Sequence, residues 1–540
     1  MNGLKFVGRS KRSSGGKVFP VGLSDVTWLE NQNDFSWPVN YLAQSKVNEG
    51  RLSTLVKLPV GIEDQQVADL VTLVMPLCYS KPFYILEAAL LADAACKFGF
   101  KVRDCSGLVE FLTTGNGSPS FESRGMAVKH HLRPTKLSFL RGLAKSIVMN
   151  SGFSVTGFLS KNVTCLSVNP LILKAAKIND LFIKFAYPSD FLKHVTIVSN
   201  TDYKLSHENK EAAKSLIMQV LRPPDNLDKL IRSRTTKVIE VFVDQLLKRA
   251  TNLTTTCALA KRLPEKLWLG SDGGLVNRAI SYEVMKRGGT VSRFDHGYNR
   301  TLTRSKEHLV MLGLSSCTDF IFASRSMQDS WVADDLKNYL RPEKTFRLSF
   351  VDDTEQFKKI AYDPIQICSA SNRPKLLYAP HIYRGDRQLS PSQLWDPVHF
   401  RWHQTLSEII KNACADVFCR PHPEGLLRGK QHPLDKIFKN EKRSFEVAMD
   451  DYDGLIFDSP NSRIFVHALI SNKPIIFLNT IPNSFSLDVE PLIRKRCLML
   501  DVSYDEKNFL CIKSKTLLEG LGNPRPPNKA ALEEIRRLFL

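Results

Sequence analysis

The sequence predicts an α/β protein built as two successive blocks. Short apolar runs alternate with helix-patterned stretches over residues 266–324, and again over 375–479. The polar residues cluster where such runs end: Asp295-His296-Gly297, Arg420-Pro421-His422-Pro423 and Asp458-Ser459-Pro460-Asn461-Ser462. In open α/β sheets ligands gather at the carboxyl ends of the strands. A chain of 540 residues accommodates about two to four domains.

The elements follow in order. Residues 1–50 open with the basic, Ser/Gly-rich run RSKRSSGGK and read as a mobile extension. Leu70 to Leu77 reads as a strand, and Ser80-Lys81-Pro82 as the opening of an Ala-rich helix that Gly99 ends. Residues 128–148 mix Arg141 and Lys145 with Leu137, Leu140, Leu143 and Ile147, which predicts an amphipathic helix. Its basic face suits either packing on the core or an anionic membrane surface. Residues 170–255 read as mostly helical, an insertion in the first block.

From Lys266 the pattern is strand, Gly-rich turn at 270–274, helix, then a strand Thr290–Phe294 that stops at Asp295-His296-Gly297. The Gly-rich turn lacks the spacing of a dinucleotide fingerprint, so no nicotinamide or flavin cofactor is expected. A strand over 319–324, a linker over 352–372 and the strand KLLYA at 375–379 follow. A helix over about 398–412 and a strand Asp416–Cys419 lead to Arg420-Pro421-His422-Pro423. Asp453 to Asn479 then reads as strand, tight loop, helix, strand. Ser459-Pro460-Asn461-Ser462 supplies the cap, and Lys473-Pro474 the stop. A helix over 528–540 closes the chain. The domains expected are 1–50, 51–365 and 366–540.

Lys and Arg total 75 against 55 Asp and Glu, a net charge of +20. That surplus suits polyanions, an anionic membrane face or phosphorylated substrates. The eleven cysteines are scattered without a C-x-x-C pair, which predicts reduced core residues, not a disulfide framework or a metal site. No RNP-like strand, finger or helix-turn-helix signature accompanies the charge, so a basic nucleic-acid-binding protein is the weaker alternative.

Taken together and in this order, the motifs resemble those of the GT-B glycosyl and glycerophosphoryl transferases. The nearest likeness is the CDP-glycerol glycerophosphotransferase group, with bacterial capsule transferases beside it. The residues that carry it are His296-Gly297, Leu377-Tyr378-Ala379-Pro380, Arg420 to Pro423, Asp458 to Ser462 and Lys473 to Phe477. The chain departs from that pattern at Tyr298-Asn299-Arg300, at Ser459-Pro460-Asn461-Ser462 where the family has paired serines, and at His381-Ile382-Tyr383-Arg384, which leaves a nucleotide-sugar donor open beside CDP-glycerol. The resemblance implies two Rossmann-like domains facing a cleft, the second holding the nucleotide. It also implies a cytoplasmic enzyme, peripheral on the inner membrane face, that acts on a polysaccharide or lipid-linked acceptor. Neither metal nor cofactor is expected.

Within that frame His296 is the candidate general base and His422 the second catalytic candidate. A histidine, with an ordinary pKa near 6.5, can take a proton from a sugar or glycerol hydroxyl. Gly297, Arg384, Arg420, Asp458, Ser459, Asn461 and Ser462 are the candidate donor-binding residues. Arginine and helix-start N–H groups stabilise the charge that grows on a leaving nucleotide. A loop-forming role for His296 stays open. So does a nucleotide-sugar 2-epimerase of the same architecture, which would need carboxylates in the cleft.

Overall fold

The structure, a computed structural model, describes residues 18–20, 36–99, 101–103, 107–117, 136–150, 162–192, 207–270, 274–303, 305–362, 373–383, 394–422, 432–481 and 484–540. Two separate six-stranded sheets, parallel throughout, organise it. The first contains β1 (Asn162–Ser167), β2 (Phe182–Phe185), β3 (Lys266–Leu269), β4 (Thr290–Phe294), β5 (Asp319–Phe322) and β6 (Arg347–Phe350), in the order β2-β1-β3-β4-β5-β6. The second contains β7 (Lys375–Ala379), β8 (Asp416–Cys419), β9 (Lys439–Asn440), β10 (Gly454–Phe457), β11 (Ile475–Asn479) and β12 (Leu498–Asp501), in the order β9-β8-β7-β10-β11-β12. These are the two common doubly wound orders, and each has one switch point where the winding reverses. In the first sheet it lies between β1 and β3, in the second between β7 and β10. The expected pair of Rossmann-like domains is what the chain forms.

Two sequence readings are corrected. The segment Leu70 to Leu77 is not a strand: Gln65–Phe98 is one helix with Pro76 and Pro82 inside it. Pro76 has no N–H for the carbonyl of Thr72, one turn earlier. The buried Arg278 donates to that carbonyl at 2.9 Å and to the Leu73 carbonyl at 3.3 Å, so the helix passes the proline with its acceptors satisfied. The stretch 170–255 is mostly helical, as read, with the short strand β2 inside it. The whole of 1–50 is not an extension. Val18–Pro20 pairs with Lys101–Arg103, Trp37 is buried, and Tyr41–Lys57 is a helix capped by Asn40.

Both chain ends cross between the sheets. Trp37 donates its N–H to the Lys507 carbonyl (2.7 Å), accepts from Asn508 Nδ2 (2.9 Å) and packs its ring against Trp395. Tyr41 stacks on Tyr504. The final helix, Lys529–Phe539, packs against Arg463–Ile470 of the second domain and Arg325–Asp329 of the first. Its buried Arg536 donates to the carbonyls of Ile470 and Ala361.

Among the described residues no helix is long and apolar enough to cross a membrane. Of the predicted amphipathic stretch, residues 128–135 lie outside the described residues. Lys136–Met149 is a helix with Arg141 exposed and Lys145 over the Phe185 ring. Cys78, Cys165, Cys257, Cys317, Cys419 and Cys497 are buried and free, and burial pushes their thiols up. Cys96, read as a core residue, is exposed.

One stabilising device bears directly on the site. Arg496 is 2 % exposed and donates to the carbonyls of Ala468, Leu469, Ser471 and Lys473, at the end of the Arg463–Ile470 helix. Burial lowers its pKa to about 10, which leaves it charged. Arg496→Met should strand those carbonyls and cost about 3 kcal/mol of unfolding free energy in urea. A loss below about 1 kcal/mol would mean that water or neighbours replace the guanidinium.

Candidate active site between the two sheets

The carboxyl ends of the two sheets open onto one cleft of about 1030 Å³. From the first domain it takes His296, Gly297, Asn299 and Arg300, which follow β4. From the second it takes His381 after β7, Arg420 and His422 after β8, and Ser459, Asn461, Ser462 and Arg463 after β10. The Tyr41–Lys57 helix supplies a third wall through Tyr41, Asn48 and Glu49. The fold thus gathers seven of the nine sequence-predicted site residues into one space. Arg384 lies outside the described residues, and Asp458 lies beneath the floor.

The first-domain loop is tightly held. Asp295 is 3 % exposed; it accepts the His296 backbone N–H at 3.0 Å and pairs with Arg300 at 3.3 Å. Asn169, at the β1 end, donates to the carbonyls of Asp295 and Gly270, tying both loops to the switch point. The His296 ring is exposed to the cleft. At Gly297 a Cβ would stand 2.8 Å from Asn299 Oδ1, so a side chain there would push the Asn299 amide aside. Asn299 in turn donates to Asn461 Oδ1 (3.2 Å), a bond across the cleft. Tyr298 is buried with φ +59°, a left-handed conformation costly for a tyrosine. Its ring packs edge-on against Phe357 and lies under the Arg463 guanidinium, 5.1 Å away.

On the opposite wall, Ser462 caps the Arg463–Ile470 helix by accepting the Ile464 N–H, and Ser459 Oγ accepts the Asn461 N–H. The loop therefore satisfies part of its own backbone, and an incoming phosphate would exchange these bonds for stronger, charge-assisted ones. Arg420 is half-buried, with its Nη1 3.5 Å from the Pro421 carbonyl.

Asp458 is a correction. It is 1 % exposed, with Oδ2 accepting from the Tyr378 hydroxyl and Oδ1 from the His381 N–H, both at 2.5 Å. It cannot reach a ligand in the cleft. Burial opposes its charge, but its neighbours, His399 foremost, outweigh this and hold the carboxyl at about 2. Burial keeps His403 well below its ordinary value and so uncharged. The Tyr378 and His381 donors therefore stabilise this carboxylate without help from charge on His403. Asp458 fixes the β7 and β10 loops to each other at the switch point.

No protein-family model matches the chain, and no curated protein does. Solved structures similar to it include the following three. UGT89C1 of Arabidopsis thaliana, complexed with UDP-L-rhamnose, is 10% identical with a TM-score of 0.35, covering 74% of this chain and 90% of that one. UDP-N-acetylglucosamine 2-epimerase from Rickettsia bellii is 12% identical with a TM-score of 0.34, covering 70% and 94%. CalG4, the calicheamicin glycosyltransferase, is 10% identical with a TM-score of 0.32, covering 71% and 94%. The architecture rests on the strand orders above.

Sequence reasoning missed several cleft residues. Arg300 and Asn299 directly follow a motif that was read, but a short helix, Arg300–Thr303, turns them back into the cleft. His308 is held by Ser305 Oγ (2.7 Å) and the Tyr79 hydroxyl (3.2 Å), the latter from the long helix whose first half was read as a strand. Glu49, Glu307 and Glu446 put carboxylates in the cleft. Only their neighbourhood in space marks them.

Proposed function

We propose that the chain is a transferase that moves a sugar or glycerophosphate group from a nucleotide-activated donor to a hydroxyl acceptor on a glycan or lipid-linked carrier. The observation that carries this reading is the single cleft into which both sheets deliver strand-end polar residues, a histidine on one wall and an arginine with a helix start on the other. The donor diphosphate would lie against Arg420 and the start of the Arg463–Ile470 helix, with His422 beside it. Charge growing on the leaving nucleotide would meet fixed donors there. From the facing wall His296 would take the proton of the attacking hydroxyl.

Calorimetry with CDP, UDP and GDP tests donor binding and names the base. One of them should bind, and Arg420→Ala and Ser462→Ala should each weaken it about 10- to 100-fold, the worth of a hydrogen bond to a charged group. If affinity is unchanged in both variants, the loop is a helix cap and nothing more. The carboxylates Glu307 and Glu446 favour one second reading, the epimerase. Exchange of solvent deuterium into a bound nucleotide sugar, without acceptor, would select it.

A further inference from the structure

Behind the donor-side loops the second domain encloses a group of imidazoles that the proposed transfer does not use. His399 and His403 stand one turn apart on the Asp396–Lys411 helix, 1 % and 0 % exposed. This i, i+4 spacing puts both rings on one helix face, as in helical zinc sites. Asp458 faces them from the end of β10, and each His Nε2 lies 3.8 Å from its Oδ2. The Tyr378 hydroxyl, from β7, lies 3.0 Å from His403 Nε2 and donates to the same Oδ2.

Two features point to a ligand. Neither ring nitrogen of His399 has a hydrogen-bond partner, though the ring is buried. A buried polar group left so is a costly exception in folded proteins. The other feature is the outer contact of His403: its Nδ1 lies 2.7 Å from the Tyr383 hydroxyl. Because the Tyr378 proton goes to Asp458, Nε2 carries its N–H toward that hydroxyl here; moving the proton to Nδ1, donated to Tyr383, would free Nε2 as a ligand oriented by its second nitrogen.

We propose that His399 Nε2, His403 Nε2 and Asp458 Oδ2 hold one structural divalent transition-metal ion, zinc by its donor set, with the Tyr378 hydroxyl as fourth neighbour. Two imidazoles, a carboxylate and an oxygen donor suit zinc and cobalt(II). Tetrahedral zinc, with bonds of about 2.0–2.1 Å, keeps its donors roughly 3.3 Å apart. The two His–Asp spacings would close by about half an ångström on binding, and the Tyr378 hydroxyl, now 2.5 Å from Oδ2, would draw back. His399, His403 and Asp458 do not line the cleft, so the ion is not part of the transfer chemistry. Its ligands come from a helix and from strand ends on both sides of the β7/β10 switch point. Asp458 immediately precedes Ser459 of the phosphate-facing loop. The ion would lock that loop's base.

Because the site is buried, loading belongs to folding, and the test uses the full chain. Protein produced in zinc-supplemented medium and dialysed should carry about one metal ion per chain by elemental analysis, and His399→Leu should carry none. Wild-type protein unfolded with chelator and refolded with cobalt(II) should show the intense visible absorption of a tetrahedral site. It should also melt higher than protein refolded with chelator alone. The proposal is overturned if the wild type is substoichiometric and its cobalt-refolded form lacks that absorption. Full metal retention by His399→Leu also overturns it. Should His399→Leu not fold, the cobalt measurement on wild type decides alone. The nucleotide calorimetry is independent of these readouts, so failure of the metal site and failure of the transferase reading are told apart.

Discussion

His296→Ala is expected to cut turnover about 100-fold or more while leaving nucleotide affinity and thermal stability nearly unchanged. The split follows from how the loop is held. The His296 backbone is anchored through Asp295, which is bound by Arg300 and by the Asn169 amide, whereas the ring itself is exposed in the cleft. Removing an exposed ring costs little packing, so a large rate loss would report chemistry. A loop-forming histidine would behave the other way, with lower stability and a similar rate per folded molecule. Steady-state kinetics on the donor identified by calorimetry, with melting curves beside them, separate the two. If turnover stays within a few-fold of wild type, the base is elsewhere. His422 is then the next residue to test, since both ring nitrogens of His308 are already engaged.

Stability should fall as pH drops through the window between about 6.5 and 3, and His467 should account for a measurable part of that fall. His467 sits on the Arg463–Ile470 helix, 1 % exposed, with its Nε2 accepting from Arg463 Nε at 3.3 Å. Burial first, and the Arg463 charge second, push its pKa down to about 3. An unfolded histidine titrates near 6.5. Between those values the unfolded chain binds a proton that the folded chain refuses, so folding weakens as pH falls and is insensitive above about pH 7. The contribution reaches about 3–5 kcal/mol at the acid end of the window. Urea unfolding of wild type and His467→Leu at a series of pH values checks this. The variant should be less acid-sensitive than wild type, and parallel profiles would assign the loss to carboxylates instead.

How far the sequence could be read follows from what each element depends on. The strands Lys266–Leu269, Thr290–Phe294, Lys375–Ala379 and Asp416–Cys419 were legible because each is a short apolar run that stops at a polar turn. The unit from β10 through the Arg463–Ile470 helix to β11 was legible for the same reason, with Ser462 as cap and Lys473-Pro474 as stop. The first half of the Gln65–Phe98 helix was not, because Pro76 lies inside it and the Thr72 carbonyl it leaves free is met by Arg278, some 200 residues away. Strand β1 was hidden by the long helices that follow it in sequence. At the site, strand-end position correctly placed His296, Arg420 and Ser459 at one cleft. It misplaced Asp458, because the residue just after a strand can point into the core as readily as out of it. His399 and His403 carried a visible H-x-x-x-H spacing. Their meaning depends on Asp458, which the sequence brings back only after three further strands, β8, β9 and β10.

The crossed chain ends mean that the order of residues along the chain and the division into domains do not coincide. A polypeptide cut between the two sheets would not yield two self-contained halves. The upstream piece would keep Trp37 and Tyr41 but lose Trp395 and Tyr504, against which they pack. The downstream piece would keep Arg536 but lose the Ala361 carbonyl that it binds. Each half would expose apolar rings or a buried cation meant for the other, so the pieces are complementary rather than independent. The same interlocking restricts how the cleft breathes. Straps at both ends oppose a wide swing about a single hinge, and favour small sliding or twisting of one sheet against the other as a donor enters.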